Sequence, residues 1–213
     1  MKKYSFKIGM QLKGVAQEAI RTKNDLISLL LRAVQYMHLG EPCPEGTEDS
    51  FTIEIEKISR ISFFLKDKIF SFHFPFTVQD ENSDQIIIRC KNRNFNIDSK
   101  VLALLLSLCN NNIFDETFFD MSVLVEDECN SFDEIDNQIE IEYIVRTLLE
   151  FEPGYLRYED DINRANGNIH PRFHIDVFYS DHAKVKLGMY NEITAAWFRD
   201  LIDITTNCKF IKS

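Results

Sequence analysis

Residues 50–91 read SFTIEIEKISRISFFLKDKIFSFHFPFTVQDENSDQIIIRCK. Four runs within it, SFTIEIEKI, RISFFLK, IFSFHFPF and QIIIRCK, are rich in β-branched and aromatic residues and separated by short polar breaks. That composition fits half-buried pleated surfaces, and the short breaks predict an antiparallel meander with Asp67 at one tight turn. His73, set among the phenylalanines of the third run, reads as a residue at the edge of the core. Phenylalanine is the outlier in the whole chain, with 18 copies against a single Trp, and it extends the expectation of sheet beyond this stretch.

Upstream, Tyr4, Phe6, Ile8, Met10 and Leu12 alternate with polar residues, a period of two that predicts a half-buried strand. A helix follows from about Asn24 to Leu39, capped by Thr22 or Asn24, with Leu26, Ile27, Leu30, Leu31, Val34 and Met37 as its apolar stripe and Gly40 at its end. Pro42, Pro44 and Gly46 make residues 41–50 a loop. Downstream, Asp98 or Ser99 can cap an apolar helix, VLALLLSLC, expected to pack on the sheet. Residues 113–130 fit either a helix or a strand. Ser131 and Glu134 have capping-box spacing, so a helix from about Phe132 to Phe151 is expected, stopped by Pro153 and Gly154. The fold class is α+β, with antiparallel sheet meanders packed against several helices. One domain over 1–213 is expected, with a possible division near 110–113 into halves 1–112 and 113–213.

Charge is distributed unevenly. Between Lys100 and Arg146 there is no Lys or Arg but eleven acids: Asp115, Glu116, Asp120, Glu126, Asp127, Glu128, Asp133, Glu134, Asp136, Glu140 and Glu142. The other 23 acids nearly match the 24 basic residues, so this segment carries the formal net charge of −10. Such a block repels nucleic acid and membrane surfaces and attracts a basic partner, or is simply a solvated helix face and loop. With no basic stripe, direct binding of nucleic acid is not expected. The basic N-terminus lacks the unbroken apolar core of a secretory signal, and the apolar runs LISLLL and VLALLLSLC fall far short of the ~20 residues that cross a bilayer. Cys43, Cys90, Cys109, Cys129 and Cys208 form no C-x-x-C pair, which fits reduced thiols in the cytoplasm.

The chemistry concentrates in residues 155–190, YLRYEDDINRANGNIHPRFHIDVFYSDHAKVKLGMY. Side chains alternate in direction along a strand. Read as three strands, the stretch has an apolar face carrying Leu156, Tyr158, Phe173, Ile175, Val177, Val185 and Leu187. Arg157, Glu159, His174, Asp176, Lys184 and Lys186 would share the other face if the strands form a meander. Cross-strand ion pairs alone account for such a face. Two functional alternatives stand beside that. His170, His174 and Asp176 suit a divalent transition metal. Without a metal, His174 serves as acid/base beside a carboxylate, Asp176 or Glu159, while Arg157 and Lys186 hold an anion. No organic cofactor is expected. A restriction-type nuclease would carry an acid before the lysine of the third strand, where this chain has Lys-Val-Lys. The closing helix is expected from Asn191 to about Thr205, with Ile193, Trp197, Leu201 and Ile204 on one face. CKFIK, residues 208–212, is expected as a final edge strand.

At Arg157, Tyr158 and Glu159, followed by His170, Pro171 and His174, the chain resembles uncharacterised bacterial families that end in an Arg-aromatic-acid strand, a His-Pro-x-x-His segment and a closing helix. Those families look like components of defence or toxin–antitoxin loci. The resemblance implies a bacterial intracellular setting and supplies no reaction. The first expectation for function is therefore a cytoplasmic bacterial protein-binding or regulatory subunit, of the phage-defence or toxin–antitoxin type that the resemblance implies; the alternative is a small metal-dependent or histidine-based enzyme acting on a phosphate-containing substrate.

Overall fold

A computed structural model describes residues 2–55, 58–81, 85–91, 93–115, 118–131 and 138–210. In chain order the elements are β1 (Lys2–Lys7), α1 (Met10–Gln17), α2 (Lys23–Leu39), β2 (Ser50–Ile55), β3 (Arg60–Phe64), β4 (Lys68–His73), β5 (Phe76–Glu81), β6 (Gln85–Cys90) and α3 (Ser99–Asn110). A 3-10 turn at Ile113–Asp115 precedes α4 (Phe118–Ser131), α5 (Gln138–Glu150), β7 (Leu156–Asp160), β8 (Phe173–Val177), β9 (Val185–Met189) and α6 (Ala195–Ile202). The fold is α+β. Among the described residues no helix is long and apolar enough to cross a membrane.

The chain forms two compact units, one of Met1–Ile8, Glu41–His73 and Pro153–Ser213, the other of Gly9–Gly40 and Phe74–Glu152. The first unit holds a seven-stranded sheet in the order β1-β2-β3-β4-β7-β8-β9, with every neighbouring pair antiparallel. The second holds the helices α1 to α5 and the separate β5–β6 hairpin.

The seven-stranded register decides the chemistry. One row of directly paired residues runs Phe6, Phe51, Phe63, Phe70, Arg157, Asp176, Lys186. Paired residues share a face, so a single face is aromatic over β1 to β4 and ionic over β7 to β9. The opposite face inverts this: the next row runs Ser5, Thr52, Ser62, Ser71, Leu156, Val177. There the hydroxyls satisfy one another, Ser5 Oγ with Thr52 Oγ1 at 2.8 Å and Ser62 Oγ to Ser71 Oγ at 3.0 Å. Phe51, Phe63, Phe70 and Phe72 are fully buried, with Phe63 and Phe70 stacked at 4.8 Å between ring centroids.

On the back of β7 to β9, α6 places Phe198 against Phe64, Ile69, Tyr158 and Ile175. Thr194 caps that helix, its hydroxyl accepting from the Trp197 amide at 3.1 Å. Leu156, Phe173, Val177 and Met189 also pack against this cluster, whereas Val185 and Leu187 of β9 remain exposed; the ionic side points away from α6.

Several expectations are corrected. The first strand stops at Lys7, because Met10 begins a helix whose inward residues, Leu12 and Ala16, are four apart as helical rather than strand spacing requires. Gly9 is needed at the junction, since a Cβ there would collide with the Tyr36 hydroxyl. The run IFSFHFPF is two strands, not one. Pro75 lacks the amide that would continue the ladder, and Phe74 and Phe76 pack edge to face at 5.6 Å in the second unit. The fourth run therefore pairs only with β5, and β4 takes β7 as its other neighbour.

Helix α3 packs chiefly on α2 rather than on strands, joined by the Asn24 side-chain amide donating to the Cys109 carbonyl at 2.9 Å. Helix α6 begins at Ala195 rather than Asn191, and Ile204 is exposed. Residues 206–210 form no strand. The Thr22 cap of α2 does form, as a capping box with Asp25. Ser131, expected to cap the next helix, instead ends α4 with its hydroxyl donating to the Glu128 carbonyl at 2.7 Å, and Glu134 lies outside the described residues.

Candidate functional site

The three strands β7, β8 and β9 form a meander, and its register pairs Arg157 with Asp176 and Glu159 with His174, while Asp176 pairs with Lys186. All six polar residues of the ionic face come together. Arg157, His174 and Asp176 are buried; Lys184 and Lys186, each about a quarter exposed, form the solvent side.

Arg157 sits between the two carboxylates. Its Nη2 donates to Asp176 Oδ2 at 2.5 Å and its Nε lies 3.3 Å from Glu159 Oε1. One oxygen of each carboxylate is engaged by the guanidinium, and the other oxygen of each remains directed elsewhere. Burial alone would raise the Glu159 carboxyl, but His174, when its ring carries a second proton, and the Arg157 guanidinium outweigh it and hold the group at about 2. Tyr155, buried beside Arg157, is pushed up by burial and keeps its proton.

His174 is fully buried. Its Nδ1 lies 2.9 Å from the Pro171 carbonyl, which can only accept, so Nδ1 carries the proton and a neutral ring has its lone pair on Nε2. That Nε2 lies 3.4 Å from Glu159 Oε2 and 3.9 Å from Asp176 Oδ2, and it makes no hydrogen bond. Asp176 Oδ1 is likewise buried without a hydrogen-bond partner. Gly188, opposite His174 on β9, admits the Pro171 ring; a Cβ there would sit 3.0 Å from Pro171 Cγ. The His-Pro segment thus fixes the tautomer of the histidine three residues on.

His170 is near but turned away. Its ring centroid is 4.9 Å from that of His174, yet its Nδ1 accepts from Lys186 Nζ at 2.9 Å and its Nε2 donates to Asp161 Oδ2 at 3.0 Å. The sequence pointed to His170, His174 and Asp176 as metal ligands; the residues whose donor atoms gather within 4.8 Å of one another are Glu159, His174 and Asp176. Pairing positions across strands, Glu159 opposite His174, carries that information, whereas the i, i+4 histidine spacing does not.

The loop between β7 and β8 is a continued hairpin. Asp161 and Arg172 share a backbone bond at 2.8 Å, and the Asn166 amide bonds the His170 carbonyl at 2.8 Å around Gly167, whose φ of +52° suits glycine. Arg172 closes its base with two bonds to Asp160, at 2.6 and 2.9 Å. Lys186 is lowered by partial burial against the pull of Asp176 and Glu159. Just past β8, Phe178 adopts φ +67°, a conformation that costs a bulky residue on the order of 1–3 kcal/mol.

No family model, no curated protein and no solved structure matches the chain.

Proposed function

We propose that the chain is a small enzyme of the cytoplasm acting on a phosphate-bearing substrate at the ionic face of β7 to β9. The observation that carries the reading is the pair of buried polar atoms without hydrogen bonds, His174 Nε2 and Asp176 Oδ1, beside two partly exposed lysines. Buried polar atoms of folded proteins are paired in the great majority of cases, and a bound ligand or ion is one of the causes of an exception. Asn24 Oδ1 and Glu54 Oε2 likewise make no hydrogen bond; what sets His174 Nε2 and Asp176 Oδ1 apart is that both lie on one ionic face.

In this reading Lys184 and Lys186 hold the anion from the solvent side. Glu159, His174 and Asp176 supply the chemistry beside it, and Arg157 positions both carboxylates. Lys184 is shared between Asp176 at 3.7 Å and the exposed Asp181 at 3.4 Å, so Lys186 is the cation on the face better placed to meet an oxyanion.

Turnover of a phosphodiester and nucleotide panel by the purified full chain tests this. Lys184→Ala and Lys186→Ala should each lower kcat/KM by about tenfold or more, the effect of losing a hydrogen bond to a charged group. Absence of both turnover and phosphate-ester binding in the wild type removes the proposal.

A second reading, as a partner-binding subunit of a bacterial defence or stress system, is favoured by α4. Met121, Val125 and Cys129 are its buried side, while Glu126 and Asp127 are exposed in a segment without basic residues. If α4 is a docking face, capture of proteins encoded beside this chain should weaken with added salt and in the Glu126→Gln/Asp127→Asn/Glu128→Gln variant. Capture indifferent to both removes the electrostatic interface.

A further inference from the structure

We infer that Glu159, His174 and Asp176 form a binding site for one divalent first-row transition-metal ion. This deepens the phosphate-processing reading and rests on it for the role of the ion, though not for its ligands. Three independent features of the site point to an ion rather than to an ion pair.

The first is the donor geometry. Metal bonds of about 2.0–2.2 Å bring donors on one ion to within roughly 3–4.4 Å of each other. His174 Nε2 lies 3.4 Å from Glu159 Oε2 and 3.9 Å from Asp176 Oδ2, both inside that span, and all three donors gather within 4.8 Å, slightly wider than an ion would draw them. The second is that the inward atoms are open. Among the described residues neither His174 Nε2 nor Asp176 Oδ1, both buried, makes a hydrogen bond; their charged neighbours are Glu159 Oε2, 3.4 Å from Nε2, and Lys186 Nζ, 4.0 Å from Oδ1.

The third is support behind every ligand. Ligating histidines hold the far nitrogen on a carbonyl or carboxylate, and ligating carboxylates are hydrogen-bonded in turn. Here Pro171 O takes His174 Nδ1 at 2.9 Å, and Arg157 takes Asp176 Oδ2 at 2.5 Å and approaches Glu159 Oε1 at 3.3 Å. Arg157 therefore holds both carboxylates in place; on Asp176 it takes Oδ2, the oxygen that also lies 3.9 Å from His174 Nε2. One imidazole with two carboxylates suits Zn²⁺, Mn²⁺ or Co²⁺ better than Mg²⁺, whose sites are all oxygen. With three protein ligands, further coordination positions remain for an oxygen of a phosphate placed by Lys184 and Lys186.

The full chain, stripped with a chelator, is titrated with Co²⁺ and followed by visible absorption, with Zn²⁺ in competition and calorimetry for stoichiometry. One ion per chain is expected. Glu159→Gln and Asp176→Asn, each verified as folded by circular dichroism, should weaken binding by at least the ~10–100-fold that loss of even a supporting partner costs. Should both variants fail to fold, imidazole NMR of the wild type takes their place: Zn²⁺ should move the Nε2 resonance of His174 and not that of His170.

No uptake by the wild type overturns the inference, as does uptake unchanged in the folded variants or a Zn²⁺ effect confined to His170. Stoichiometric binding without any phosphate-ester turnover upholds the ion site while removing the enzymatic reading. Turnover by a metal-free chain that Lys186→Ala slows upholds the enzymatic reading and removes the ion.

Discussion

Replacing Asp176 with Ala is expected to cost about 3–5 kcal/mol of folding stability, the range for deleting one partner of a buried ion pair. Asp176 is 1% exposed and Arg157 7%, so the substitution leaves a desolvated guanidinium with Glu159 alone, 3.3 Å from its Nε. Against a total of roughly 5–15 kcal/mol for a native protein, this is a large fraction. The Arg157→Met/Asp176→Leu double variant should recover part of the loss, because exchanging a buried pair for apolar residues is commonly neutral or stabilising by ~1–4 kcal/mol, while Glu159 loses the guanidinium 3.3 Å away.

Urea unfolding of Arg157→Met, Asp176→Leu, the double variant and the wild type gives the coupling directly, with Asp176→Ala measured beside them. A cost below about 1 kcal/mol for Asp176→Ala, the level of a surface pair, would mean that the face is solvated. The burial argument for the site would then be lost. A double variant at least as stable as the wild type would show that the ion pair is not needed for folding, the pattern expected where stability is given up for function.

Phe63→Ala is the second large effect, at about 3–5 kcal/mol for a fully buried phenylalanine. Phe63 lies mid-row in the sheet and stacks on Phe70 at 4.8 Å, with Phe51 at 5.7 Å and Phe72 at 6.1 Å between centroids. Loss of these ring pairs adds to the transfer and cavity costs, at roughly 0.5–1.5 kcal/mol for each favourable pair. Phe63→Leu should recover more than half of the deficit because it refills most of the volume. Equilibrium unfolding of both variants reads the outcome; a loss under about 1 kcal/mol for Phe63→Ala would mean that the row of rings collapses onto the gap without cost. Since Phe70 pairs with Arg157, the same unfolding should be coupled to that of the ionic face.

Much of the ionic face was legible from alternation alone. Arg157 and Glu159, His174 and Asp176, and Lys184 and Lys186 are each two residues apart, so each pair had to share a side of its strand. The helix α2 was equally legible, because a cap candidate, Thr22 or Asn24, precedes a stripe of apolar residues at helical period ended by Gly40; that Thr22 is the cap, in a box with Asp25, is settled by the structure. Alternation failed where it ran past a boundary. Met10 and Leu12 continued the pattern of β1 while belonging to a helix, and Phe76 continued that of β4 across a proline that ends the ladder.

What the chain determines locally is therefore the set of strands and the side on which each places its charges, since both follow from the two-residue period and from caps and breakers a few positions away. Which strands become neighbours is a long-range matter. Nothing in residues 68–73 or 155–160 announces that Phe70 pairs with Arg157, and that pairing joins the aromatic rows of β1 to β4 to the charged rows of β7 to β9 on one face. The choice of Glu159 rather than His170 beside His174 has the same origin. Strand pairing brings Glu159 opposite His174, while the hairpin loop turns His170 toward Asp161 and Lys186; only tertiary structure sets those directions, because they depend on contacts between residues far apart in the chain.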